Sequence, residues 1–304
     1  MKIVVTNNQD FSREQKQRLE SLGDVSYYDA LPQSGEEYLE RVKGADIICS
    51  GRAGFVEAAP YLENVYITVG FVNVSFVDAT MLAANGVTLS NAPGANRHAV
   101  SEWIMFMALY MSRQFGSFLN STEHFRENGN LPPITQGLAD TNITILGNGK
   151  IGKLAGELAK AFEMKVTHFK RGDDLLASVQ NADLVVDVLS TNSSTKNLLS
   201  TEFFGGMKQG SHFITVTGPE IVDYNALIQA LDRGKIADAA SDCGNILVGD
   251  TSDPLYKKLL SHPKIHVTPH ISYNSEKARK TGADTMIDNV EAYISGHPQN
   301  VVNR

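Results

Sequence analysis

The chain has little from which to build a site of sulfur, positive charge or membrane. Only two cysteines, Cys49 and Cys243, occur among 304 residues, so neither a disulfide framework nor a Cys/His metal-ligand spacing exists, and no metal is expected. Positive charge is also short. With 27 Lys and Arg against 34 Asp and Glu, the formal net charge is −7, which offers no basic footprint for nucleic acid or an anionic membrane. No apolar run approaches the roughly 20 residues of a transmembrane helix. Met1-Lys2-Ile3-Val4-Val5-Thr6 runs straight into a strand pattern with no h-region or cleavage site, so a cytoplasmic protein with reduced thiols is expected. The remaining composition, 42% hydrophobic and 20% charged, is that of a globular chain long enough for two domains with separate cores.

Glycine, by contrast, is plentiful at 25 residues, and one run of it carries chemistry. Ile143-Thr144-Ile145-Leu146-Gly147-Asn148-Gly149-Lys150-Ile151-Gly152 reads as a buried strand, a tight turn and a helix start. This is the G-x-G-x-x-G arrangement: Gly147 allows the turn, Gly149 lets backbone approach a pyrophosphate, and Gly152 permits close helix–strand packing. The N–H groups of Lys150 and Ile151 then face the negative charge.

Strand-like and helix-like runs alternate around it. Ile3–Thr6, Ile47–Cys49, Tyr66–Val69 and Val87–Leu89 read as strands, separated by helical Phe11–Leu22, Ser34–Val42 and Phe76–Ala84. Ser34 with Glu37 fits a capping box. A second strand series comprises Ile143–Leu146, Lys165–Phe169, Leu184–Val188, Phe213–Val216, Ile236–Ala239 and Ile265–Thr268. Such alternation predicts parallel βαβ units, an α/β fold with helices on both sheet faces. Ala99–Phe115, with Val100, Trp103, Met107 and Leu109 on one broad face, reads as a buried inter-domain helix, and Gly129-Asn130-Leu131-Pro132-Pro133 as a surface loop. The late helix Glu276–Ser295 is expected to return to the first domain, giving a split substrate domain (1–96 plus 275–304) and a continuous dinucleotide-binding domain (97–274).

Together these pieces resemble the D-isomer-specific 2-hydroxyacid dehydrogenase family. The carriers are Gly70-Phe71-Val72-Asn73-Val74, Asn91-Ala92-Pro93-Gly94-Ala95-Asn96 before Val100-Ser101-Glu102, the glycine turn, Ile221-Val222-Asp223 and Thr268-Pro269-His270. The resemblance implies two Rossmann-like domains, flavodoxin-like plus dinucleotide-binding, a cleft between them, and a homodimer built on the cofactor domain. It also implies an arginine on the substrate carboxylate, a histidine that moves the proton, and a glutamate that keeps that histidine basic. The chemistry needs them: hydride delivered to a ketone leaves an alkoxide unless an acid protonates it, and a carboxylate is best held by a bidentate guanidinium.

His270 falls in the histidine's place. The other two positions have changed, to Gly218 and Leu247, with Asp242 kept as the family's strand-end aspartate. No Arg lies between Arg171 and Arg233, and no Glu between Glu220 and Glu276, so a small shift in alignment restores neither. Candidate replacements for the substrate grip are Arg52 with Gly51 in the first-domain loop, Asn73, and Arg97 with His98 at the long helix's start; Arg52 is equally compatible with a solvated surface arginine. Thr215 and Thr217 are candidates to hydrogen-bond a neutral substrate. Without the glutamate, slower or differently pH-tuned proton transfer is expected.

The strand after the glycine turn ends His168-Phe169-Lys170-Arg171-Gly172. Where NAD-selective relatives place an acid for the ribose 2′-OH, Lys170 and Arg171 match a 2′-phosphate, unless Asp173 or Asp174 reaches the ribose instead. NADP is the favoured cofactor, with NAD compatible. Ser190, Thr195, Thr217 and Asp242 complete the expected cofactor residues. The function expected is reduction of a small 2-oxo acid or related carbonyl with His270 as proton donor. The alternatives are a reductase of a non-carboxylate substrate and a cofactor-binding sensor that has shed its chemistry.

Overall fold

The computed structural model describes residues 1–116, 134–244 and 246–303; the loop at 129–133 lies outside them. Two compact units emerge, Met1–Asn96 with Asn274–Arg304, and Arg97–Tyr273.

The first unit holds β1 (Lys2–Val5), β2 (Asp24–Tyr27), β3 (Ile47–Ser50), β4 (Tyr66–Val69) and β5 (Thr88–Ser90). They form one parallel sheet in the order β2-β1-β3-β4-β5, the flavodoxin-like order with its switch point between β1 and β3. Alternate strand residues feed opposite faces, as strand pleating dictates. Val4, Ile48 and Ile67 enter one core, while Ile3, Val5, Ile47, Cys49 and Tyr66 enter the other.

Helices α1 (Arg13–Glu20), α2 (Gly35–Val42), α3 (Phe55–Ala58) and α4 (Ala79–Ala84) connect these strands. At α1, Ser12 and Gln15 make a full capping box. At α2 the expected box is half made: Ser34 accepts from Glu37 N, but the Glu37 carboxylate turns to Gln33 N and Arg41. Asp78 caps α4 and starts it three residues later than the Phe76 expected.

The late helix, Glu276–Ile294, belongs to this unit, where it packs on β4. A Cβ on Gly282 would stand 2.1 Å from Gly70 O, so glycine is what lets the helix lie this close. The fully buried Asn289 donates to Thr68 Oγ1 (3.1 Å) and Asn91 O (2.9 Å), and Tyr293 stacks on Tyr66 at 4.0 Å.

The second unit contains α5 (Arg97–Ser112) and the strands β6 (Asn142–Leu146), β7 (Lys165–Phe169), β8 (Leu184–Asp187), β9 (Ser211–Thr215), β10 (Ile236–Asp242) and β11 (Ile265–Thr268). These six are parallel, in the order β7-β6-β8-β9-β10-β11. Their helices are α6 (Lys150–Ala161), α7 (Leu175–Val179), α8 (Thr201–Gly206), α9 (Tyr224–Asp232) and α10 (Pro254–Leu260), and Glu276–Ile294 is α11. Alternation again divides the core: Val185, Phe213 and Ala239 on one face, Val186, Ile214 and Ala240 on the other. On α5 the buried line is Val100, Ile104, Met107 and Met111, whereas Trp103 and Leu109 are only partly buried. Strand β10 runs three residues past the expected Ala239 because Ala240, Ser241 and Asp242 all pair with β11; that extension puts Asp242 at the strand's carboxyl end. Among the described residues, no helix is long and apolar enough to cross a membrane.

Candidate active site

In a parallel sheet all carboxyl ends lie along one edge, and the second unit's predicted residues collect there. At the switch point beside β6, Gly147 has φ +116°, and a Cβ on it would stand 2.9 Å from Val188 O. A Cβ on Gly152 would stand 2.0 Å from Gly147 O, whereas one on Gly149 would meet nothing within 4 Å. Two glycines therefore close the turn, and the third opens a cradle above it. Gly149 is also the N-cap of α6 and supplies no side-chain acceptor, so a bound anion can occupy that role towards Lys150 and Ile151. Ser101 Oγ donates to Ile151 O (3.2 Å), tying the start of α5, with Arg97 and His98, to this helix. The donor set fits the pyrophosphate of a dinucleotide.

At the end of β7, Lys170 and Arg171 are exposed. The neighbouring acids serve the backbone: Asp173 accepts from Lys170 N (2.8 Å), and Asp174 caps α7 through Ala177 N (3.0 Å). His168 lies under this corner, with its Nδ1 buried and unpartnered. Burial, followed by the charges of Lys160, Lys170 and Lys153, pushes its pKa down.

The loop after β8 closes on Thr195, which donates to Ser190 O (2.8 Å) and accepts from Asn192 N (2.9 Å); Ser190 itself is exposed. Thr215 and Thr217 do not offer hydroxyls to a neutral substrate. Both donate to the fully buried Asp187, Thr215 at 2.9 Å and Thr217 through a short bond. A carboxylate without water needs such donors. Leu189 N adds a third, yet burial still pushes the Asp187 carboxyl up to about 6. The sequence reading missed Asp187, although a carboxylate closing the buried run Leu184-Val185-Val186 was the available signal.

His270 stands two residues past β11 in a left-handed conformation, φ +53°. Asp242, 1% exposed, braces its turn: Oδ1 accepts from Thr268 Oγ1 (2.6 Å) and Ile271 N (2.9 Å), and Oδ2 from Ser272 N (2.9 Å). All three bonds run to the histidine's own turn. His270 Nδ1 lies 2.9 Å from Ile246 O, and the His270 and Tyr273 rings pack edge-to-face with their centres 5.5 Å apart. Leu247 follows, 62% exposed, and Gly218 is a buried turn residue whose carbonyl accepts Ile221 N and Val222 N. Neither supplies a charge. The thiols supply no nucleophile, since burial raises Cys243 to about 11 and Cys49 to about 12.

In the first unit, Gly51 and Arg52 follow β3 and Asn73 follows β4. The Arg52 guanidinium lies 4.7 Å from the centre of the Phe76 ring and pairs with no carboxylate among the described residues. Asn73 closes its own turn by accepting Ser75 N (2.9 Å).

The switch-point cradle and its row of polar strand ends define a dinucleotide-binding α/β protein. The model of the D-isomer specific 2-hydroxyacid dehydrogenase NAD-binding domain matches residues 105–272, more than half of the chain, and the protein belongs to that family. It is thus an enzyme of the class that acts on CH–OH groups with a nicotinamide dinucleotide. A glycerate dehydrogenase of Methylorubrum extorquens is 29% identical over 290 residues, 88% of each chain. In fold, the chain is similar to an acyclic imino acid reductase solved with NADPH and D-Arg (TM-score 0.83, 21% identity, 99% and 100% of the chains). It is also similar to a D-lactate dehydrogenase of Treponema pallidum (TM-score 0.80, 21% identity, 99% of each).

Proposed function

We propose that the protein is an NADP-linked reductase of a small carbonyl compound, a 2-oxo acid or a near relative, with His270 as the proton donor. The bound cofactor supplies the hydride. Gly147, Gly149 and Gly152 with the start of α6 hold the pyrophosphate, and Lys170 with Arg171 hold the 2′-phosphate. His270 gives a proton from Nε2 to the carbonyl oxygen as that oxygen takes up negative charge. Arg52 is proposed as the anion grip of the first unit.

The observation that carries the cofactor choice is that two exposed cations, Lys170 and Arg171, stand at the end of β7, while Asp173 and Asp174 each turn one carboxylate oxygen to a backbone N–H. A second reading, reduction of a substrate without a carboxylate, is favoured by Gly218 and Leu247, which leave His270 with no charged neighbour from those positions. Titration with NADPH and NADH followed by turnover on a panel of 2-oxo acids, imines, aldehydes and ketones tests both. NADPH should bind about tenfold tighter or more, the scale of one charge-assisted hydrogen bond. His270→Ala should lower kcat about 100-fold or more. Tighter NADH binding refutes the cofactor choice, and turnover that survives His270→Ala refutes the proton donor.

A further inference from the structure

We infer that the main-chain carbonyl of Ile246 is the positioning group for His270, holding its ring in the tautomer protonated at Nδ1. This rests on the reading of His270 as proton donor. The contact is 2.9 Å. A carbonyl oxygen only accepts, so Nδ1 must carry the hydrogen. The same Nδ1–H serves the imidazolium before transfer and the neutral ring after it, so proton exchange with substrate is confined to Nε2. A backbone dipole thereby orients the ring without the glutamate that the resemblance implies, and it needs no side chain at Leu247.

The surroundings are built to keep the contact. Ile246 is 6% exposed, and its N–H bonds Cys243 O (3.3 Å). Gly249 N donates to Pro269 O (2.9 Å), so the 246–249 loop is fastened to the histidine's turn at a second point. On the other side, His270 N bonds Thr268 O (3.0 Å), and Asp242 holds the N–H groups of Ile271 and Ser272. These bonds keep a histidine at φ +53°, where side-chain-bearing residues rarely stay unless their surroundings impose it.

Two measurements test the inference in the full-length protein. With ¹⁵N-labelled histidine, NMR at a pH where the ring is neutral should show Nδ1 protonated and Nε2 bare, opposite to the preference of free histidine. An Nε2–H ring overturns the inference, and this readout needs no turnover. The second is an amide-to-ester replacement at Leu247, which weakens Ile246 O as an acceptor and removes only the Leu247 N–H, a group that makes no hydrogen bond among the described residues. It should lower kcat about three- to tenfold with KM little changed and populate the Nε2–H form. Unchanged kcat and tautomer overturn the inference. Loss of the proton-donor reading itself would show separately, as turnover retained in His270→Ala.

Discussion

The two sheets share a strand order and treat their switch points in opposite ways. After β6 the second unit removes side chains: Gly147 and Gly152 bring backbone onto backbone, and Gly149 faces open space. Between β1 and β3 the first unit fills the corresponding corner. A Cβ on Gly51 would stand 2.1 Å from Asn7 Oδ1, and Gly51 N donates to Thr6 Oγ1 (3.1 Å). Topology supplies a crevice in both; what the chain places there decides whether a long anionic ligand can lie on the backbone or meets side chains first. One crevice is a cradle, and the other carries cations: the exposed Arg52, and the buried Arg41, which donates to Thr6 O (2.6 Å).

Alanine at each crowded glycine should break this contrast most strongly. Gly152→Ala drives a methyl into a main-chain carbonyl that cannot turn away, so it should cost about 3 kcal/mol of stability and abolish NADPH binding. Gly51→Ala meets the amide of Asn7, whose end can rotate, and should cost about 1 kcal/mol. Thermal unfolding with NADPH titration compares them. Equal losses would show that the second turn is no tighter than the first.

The same contrast extends to charge. At the first switch point the neutral Thr6, Asn7 and Ser50 are buried beside the cationic Arg41, which donates to Thr6 O, whereas the second edge buries the carboxylate of Asp187. Its folded pKa, about 6, is raised above the ordinary aspartate value. The stability linked to its neutral form is therefore fully present below about pH 4 and lost as pH rises through about 6. Asp187→Asn should gain on the parent protein between pH 4 and pH 7.5, by at most about 3 kcal/mol. Urea unfolding at both pH values checks it, and parallel profiles would show that Asp187 stays ionised.

Legibility followed local signals. The glycine turn, the strands of buried Ile and Val, and the capped helices stand out because turn conformation, burial and capping each restrict residue type locally. Strand β2, Asp24-Val25-Ser26-Tyr27, was missed because an edge strand with alternate residues exposed has no apolar run. Helices α7 and α8, five and six residues long, are too short to show a period. The site was harder to read because its partners meet only in three dimensions. Thr215 and Thr217 read as substrate ligands until Asp187, some 30 residues earlier, claimed their hydroxyls. The Ile246 carbonyl could not be seen at all, since every residue has one.

Arg52 offers the smallest and most selective test. It is exposed, and its contact with Phe76 is a cation–π pair, which at an exposed position contributes about 0.5–1 kcal/mol. Arg52→Ala should therefore lower stability by no more than about 1 kcal/mol. If the guanidinium grips an anion, KM for a 2-oxo acid should rise about tenfold, the value of one charge-assisted hydrogen bond, while KM for an uncharged ketone stays put. A common shift for both substrates would mean that the loop had moved rather than lost a charge. No shift for either would leave Arg52 a surface arginine resting on a ring, and the first crevice with no part in binding the anion. The substrate's carboxylate would then lack both an arginine at Gly218, where the resemblance implies one, and Arg52 as its substitute, and that result would favour reduction of an uncharged carbonyl compound.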